Sequence, residues 1–77
     1  MTQERIYLQE HVFEGRVYVF VWDEIERAAF FLSGDLGHMV SAVDYYLEEG
    51  YRVYVHPETI REGGNFLLSL GEFILVV

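Results

Sequence analysis

Residues 33–50 read Ser-Gly-Asp-Leu-Gly-His-Met-Val-Ser-Ala-Val-Asp-Tyr-Tyr-Leu-Glu-Glu-Gly, and this stretch decides the fold class. Leu36, Met39, Val40, Val43 and Leu47 recur at helical spacing and make one apolar stripe. Ser33 and Asp35 are N-cap candidates, because a short side-chain oxygen can accept an orphan N–H of the first turn. Gly50 suits the left-handed residue that ends a helix. The spacing predicts a helix over 36–49.

The flanking sequence has strand character. Residues 6–13 are branched and aromatic, with an alternation interrupted at Glu10 and His11, which predicts an edge or bulged strand. Glu14-Gly15 then turns the chain. In 16–22, Val17, Val19 and Val21 alternate with Tyr18, Phe20 and Trp22, so both faces are apolar and a central strand is expected. A polar connection at 23–26 leads to a third strand over 27–32, and connections this short imply an antiparallel meander. Beyond the helix, 51–55 reads as a strand. Pro57 and Glu58 suggest the first turn of a short helix ended by Gly63-Gly64. Segments 66–70 and 73–77 flank Gly71-Glu72 and predict a hairpin or one long bulged strand. The expectation is an α+β fold: a small antiparallel sheet, built from a three-stranded N-terminal meander plus C-terminal strands. One main helix packs on one face, within a single domain over 1–77.

A chain of 77 residues buries only about 60% of its unfolded surface, so one modest core is the limit. There is no cysteine, which removes disulfides and thiolate metal sites. At 52% hydrophobic and 17% aromatic the composition is that of a folded domain. Its charge is lopsided: thirteen acids face five bases, all arginine, for a net charge of -8. Such a surface repels bare nucleic acid and anionic membranes. The first residues lack the basic start and apolar run of a secretory signal, and no apolar stretch approaches the roughly 20 residues that span a bilayer. A cytoplasmic protein is expected.

A search for chemistry finds little. His11, His38 and His56 are scattered and match no metal motif. His38, three residues after Asp35, is better explained as a capping contact than as a catalytic base. Ser33, Ser41 and Ser69 lack a nucleophile context, and 33–37 lacks the spacing and lysine of a phosphate loop. Asp23, Glu24 and Glu26 sit beside a tight connection, where carboxylates are usually just solvated. Neither an enzyme nor a cofactor or metal site is expected.

The helix breaks its own rules more informatively. Asp44 and Glu48 are four residues apart on one face, a like-charge spacing that costs about 0.2–0.5 kcal/mol. Glu48 and Glu49 occupy the last turn, where the dipole disfavours anions by about 0.3–1 kcal/mol each. Local inconsistency of this kind is expected at functional surfaces. Tyr45 stands among these carboxylates and Tyr51 follows close in sequence, and tyrosine is a strong interface anchor. The expected partner-binding residues are therefore Asp44, Tyr45, Glu48, Glu49 and Tyr51, joined by Asp23, Glu24 and Glu26. A third acidic pair, Glu58 and Glu62, shares the spacing of one helical face.

These features predict a protein-binding module that occupies a basic surface of a larger protein, such as a nucleic-acid channel, as an inhibitor or decoy. In size and charge the chain is similar to the small acidic inhibitors that phages and mobile elements direct against CRISPR, restriction or polymerase machinery. That likeness rests on no motif. One alternative is a structural or assembly protein whose 73–77 strand pairs across a two-fold axis into a homodimer. A second is a small metal- or metabolite-binding domain using Asp35, His38 and the 23–26 carboxylates.

Overall fold

A computed structural model describes residues 4–32, 34–62 and 70–76. The chain enters on strand β1 (Arg5–Phe13), returns on β2 (Arg16–Asp23) and turns again into β3 (Ala28–Leu32). A 3-10 turn at Gly34–Gly37 leads to helix α1 (Met39–Glu48), then β4 (Arg52–Val55), a second 3-10 turn at Leu70–Glu72 and β5 (Ile74–Leu75). The described strands form one sheet in the order β3-β2-β1-β4-β5. The fold is α+β, with one helix against a five-stranded sheet.

The meander is as expected, and Phe13 pairs with Arg16 across a two-residue turn. Glu14 and Gly15 both take positive φ, 50° and 74°, the signature of the tight hairpin turn whose twist matches the strands. Two expectations about the sheet change. β1 is its middle strand, with unbroken register to β2 from Ile6–Asp23 to Phe13–Arg16, and is neither an edge nor bulged. The sheet is also mixed, because β4 runs parallel to β1. The cause is α1. It carries the chain back along the length of β3, so β4 runs the way β3 does; both β3 and β1 oppose β2.

Pairing continues past β4 without the predicted short helix. The His56 N–H donates to Leu8 O, the Ile60 N–H to Glu10 O and the Val12 N–H to Ile60 O, so 56–60 runs alongside β1. A helical turn there would forfeit these bonds, and the expected helical face shared by Glu58 and Glu62 goes with it. Gly71-Glu72 lies in a 3-10 turn and is not a two-residue hairpin loop. The expected strand over 66–69 lies outside the described residues, as do Gly63-Gly64 and Val77. Of the described part of the expected 73–77 strand, Ile74 and Leu75 pair with β4, and Val76 follows by donating to Val53 O.

The core lies between α1 and one sheet face. Ile6, Leu8, Val19, Val21 and Val53 are essentially inaccessible there, beneath Ala42 and Tyr46. The helix stripe is Met39, Ala42, Val43 and Tyr46, whereas Val40 is 75% exposed and Leu47 41% exposed. The buried face is rotated from the predicted stripe toward Ala42 and Tyr46. Leu36 reaches the core from the preceding 3-10 turn, and Leu47 stands about 100° around the helix from Tyr46. The N-cap is His38, whose side chain makes no capping bond. On the other sheet face Tyr7 stacks on Tyr54 at 5.0 Å and meets the edge of Phe73 at 5.4 Å. Gln9, fully buried, donates from Nε2 to Glu58 O at 3.2 Å and ties 56–60 to β1 from that side.

Leu8→Ala should cost about 2–5 kcal/mol in urea unfolding, since it empties the centre of the core. Leu47→Ala should stay within about 1 kcal/mol. Equal losses at the two positions would show that the helix presents a different face to the sheet.

Candidate functional site

The end of α1 is built by backbone geometry. Gly50 takes φ 91°, its N–H donates to Leu47 O at 3.1 Å, and the Tyr51 N–H donates to Tyr46 O at 3.0 Å. These two bonds complete a Schellman motif and fold the residue after the glycine back onto the helix. As a result the Tyr51 ring meets the Tyr46 ring edge-on at 5.2 Å, and Tyr45 packs edge-on to Tyr46 at 5.1 Å. Three phenols form one cluster. Tyr46 is buried, Tyr51 half-buried, and Tyr45 is 42% exposed.

The same end of the molecule holds the start of β1 and the end of β2. The Arg52 N–H donates to Glu4 O at 2.8 Å, which seats the residues after α1 beside the first described residue. Glu4 hydrogen-bonds the Tyr51 side chain, and its carboxylate and that of Asp23 lie near enough to act on the Tyr51 phenol. Burial first, then the neighbouring Tyr45, Tyr51 and Asp23, pushes the Tyr46 hydroxyl above its ordinary value. Tyr51 is raised by burial first and then by Glu4 and Asp23.

Of the sequence-predicted site residues, Tyr45 and Tyr51 join Tyr46 in this cluster and Asp23 lies close to it. Asp44, Glu48 and Glu49 are exposed on α1, with no base in its last turn, and Tyr45 and Tyr51 stand among them. Glu24 and Glu26 are exposed in the turn after β2. Asp23 has a different place. It is nearly buried, and its Oδ1 accepts the Ile25 N–H at 3.0 Å and the Glu26 N–H at 3.1 Å, so it shapes that turn while adding charge beneath the phenols. Glu4 and Tyr46 were missed by sequence reasoning. Tyr46 carried a usable signal, its i+7 spacing from Met39; Glu4 carried none, because only the parallel β1–β4 pairing brings it here.

The third acidic pair is elsewhere. Glu62 Oε1 accepts the Glu14 N–H at 2.6 Å beside the β1–β2 hairpin, at the opposite end of β1. The pole is also not uniformly negative: Arg5 and Arg52 are register partners across β1 and β4. The Arg5 guanidinium hydrogen-bonds the Tyr7 side chain, lies near Glu24, and is held above its ordinary value by them.

The histidines make no site together. His56 is buried; its Nδ1 accepts the Glu58 N–H at 3.0 Å, which leaves the ring proton on Nε2, 3.8 Å from Glu72 Oε2. His11 stacks on Phe31 at 5.4 Å and lines an open apolar groove of about 390 Å³ with Phe13 and Tyr18. Among the described residues no three His, Asp or Glu side chains converge as metal ligands. No protein-family model, curated protein or solved structure matches the chain.

Gly50→Ala should destabilise the protein by about 1–2 kcal/mol, because a Cβ disfavours this positive φ, and should loosen Tyr51. Equal stability would mean that the helix ends by another route. The phenols give a pH signature. In the unfolded chain both titrate near 10, while in the folded protein they hold their protons to higher pH. Over that window the unfolded state binds fewer protons, so stability should fall as pH rises past 10. Tyr46→Phe should flatten the fall, read by unfolding midpoints from pH 8 to 11 in steps of about one unit.

Proposed function

We propose that this chain is a protein-binding module whose acidic, tyrosine-lined pole docks on a basic surface of a larger protein and blocks it, as an inhibitor or nucleic-acid-mimicking decoy. The observation that carries the reading is the Tyr45–Tyr46–Tyr51 cluster at the end of α1, with Glu4 and Asp23 beside Tyr51 and with Asp44, Glu48 and Glu49 exposed on and just after the same helix. The acids lie on a rigid scaffold and act as fixed charges. Their mutual repulsion at the helix end is a local cost that a cationic partner would relieve.

Charge and aromatic groups divide the task. Carboxylates steer a basic partner into register and make association fast and salt-sensitive. Tyr45, exposed at the edge of the cluster, supplies an amphipathic anchor at little cost in side-chain entropy. Tyr46 holds it from below. A channel that normally holds a phosphate backbone is the partner of matching chemistry, because such a channel presents arginine and lysine in rows. The producing cell or its host is the expected compartment, and anti-defence inhibition of the phage type is the biological setting this charge pattern favours.

Affinity capture from a bacterial lysate should recover a nucleic-acid-binding protein at low salt and lose it at high salt. The triple variant Asp44→Lys, Glu48→Lys, Glu49→Lys should keep the fold and release that protein. Tyr45→Ala should weaken capture by about tenfold or more, corresponding to a hot-spot loss of at least about 1.4 kcal/mol. Capture that survives the triple variant would sink the reading.

A further inference from the structure

The open edge of β3 has a property that the acidic pole does not use. β3 is the last strand of the sheet on its side, and among the described residues no backbone group bonds its outer edge. Its five residues are Ala28, Ala29, Phe30, Phe31 and Leu32, with no charge or proline and an unbroken register to β2. Edges left this way are templates for pairing, and natural proteins usually blunt them with lysine, proline or a bulge. Both central rings are half uncovered: Phe30 is 43% exposed and Phe31 44% exposed.

We infer that β3 pairs antiparallel with β3 of a second copy about a two-fold axis, joining two sheets into one of ten strands. Such an axis stands perpendicular to the sheet and passes through one residue, because only then do paired side chains share a face. Centring it on Phe30 pairs the whole strand. Ala29 then faces Phe31 of the second copy, and Ala28 faces Leu32 of the second copy. A small residue meets a large one on both faces, and the exchange repeats by symmetry.

The faces agree with the register inside the chain. Phe30 pairs with Val21, and Ala28 with Asp23, on the helix side; Phe31 pairs with Phe20, and Ala29 with Trp22, on the other. Phe31 already leans on His11 at 5.4 Å and on Phe20 at 5.5 Å, so its ring is held upright where the second copy's Ala29 would seat beside it. An arbitrary peptide strand would satisfy the backbone of β3 but would not supply alanines opposite both Phe31 and Leu32. A copy of this chain does.

Charge sets the conditions. Each copy carries -8, so the dimer is weakest at low salt and strengthens as salt screens the repulsion. The two-fold axis also reverses β3, which sends the two acidic poles to opposite ends and leaves both open. The proposal thus goes beyond the docking function and stands or falls apart from it, because capture by the pole weakens with salt. It also places self-association at β3 and not at the 73–77 strand.

The absence of cysteine in the chain makes a direct test available. A residue on the axis faces itself at a Cα separation of about 4.5–5.5 Å, within disulfide range. Under mild oxidation Phe30→Cys should form a covalent dimer, while Ile74→Cys on the opposite edge should not. Sedimentation of the unaltered chain from about 1 μM to about 1 mM should show a dimer that tightens with salt. Ala29→Lys should remain folded by circular dichroism and stay monomeric throughout. A monomer at every concentration and salt would overturn the proposal. Cross-linking through Ile74→Cys alone would overturn it in favour of the β5 edge.

Discussion

The parallel contact between β1 and β4 is the constraint on which the rest of this molecule depends. It exists because α1 returns the chain to the end from which β1 starts, and the Arg52 N–H to Glu4 O bond closes that return. Without it, β4 would have no central strand to join, and 56–60 could not continue along β1. Glu4 would also lie apart from Tyr51. Core and surface therefore share one origin. The backbone route that buries Leu8 and Val53 also brings Glu4 and Asp23 to the phenol cluster.

The helix end shows how a local motif becomes a surface property. Gly50 permits the left-handed turn, the turn brings Tyr51 onto Tyr46, and Tyr46 in turn supports Tyr45 at the surface. Phenols are neutral below pH 10 and burial raises these two further, so they lie beside Glu4 and Asp23 as neutral hydrogen-bonding groups without adding charge. The pole thus combines fixed anions with apolar area, the combination that a basic macromolecular surface can bury. β3 has the opposite composition, uncharged and apolar, and lies along a side of the sheet. The two surfaces need not compete.

Particular residues show where sequence reasoning succeeds. Glu14-Gly15 and Gly50 were legible because positive φ is a local demand met by few residue types. The alternation in β2 was legible because both faces of an interior strand are apolar. Leu47 misled because spacing alone does not say which apolar face meets the sheet, and the structure buries Ala42 and Tyr46 in place of Val40 and Leu47. Glu10 and His11 misled because their polarity suggested an edge, whereas the structure covers β1 with 56–60 and satisfies Glu10 through the Thr59 hydroxyl at 3.2 Å.

The sequence by itself determined the α+β class, the meander, the helix and its glycine stop, and the net charge, all of which depend on spacing over a few residues. Tertiary structure alone decided that β4 runs parallel to β1. It alone decided that Glu4 and Tyr46 belong with Tyr45 and Tyr51, and that Glu62 lies at the far end of β1. Those outcomes depend on which distant backbone groups meet, and periodicity carries no information about contacts made through a crossover.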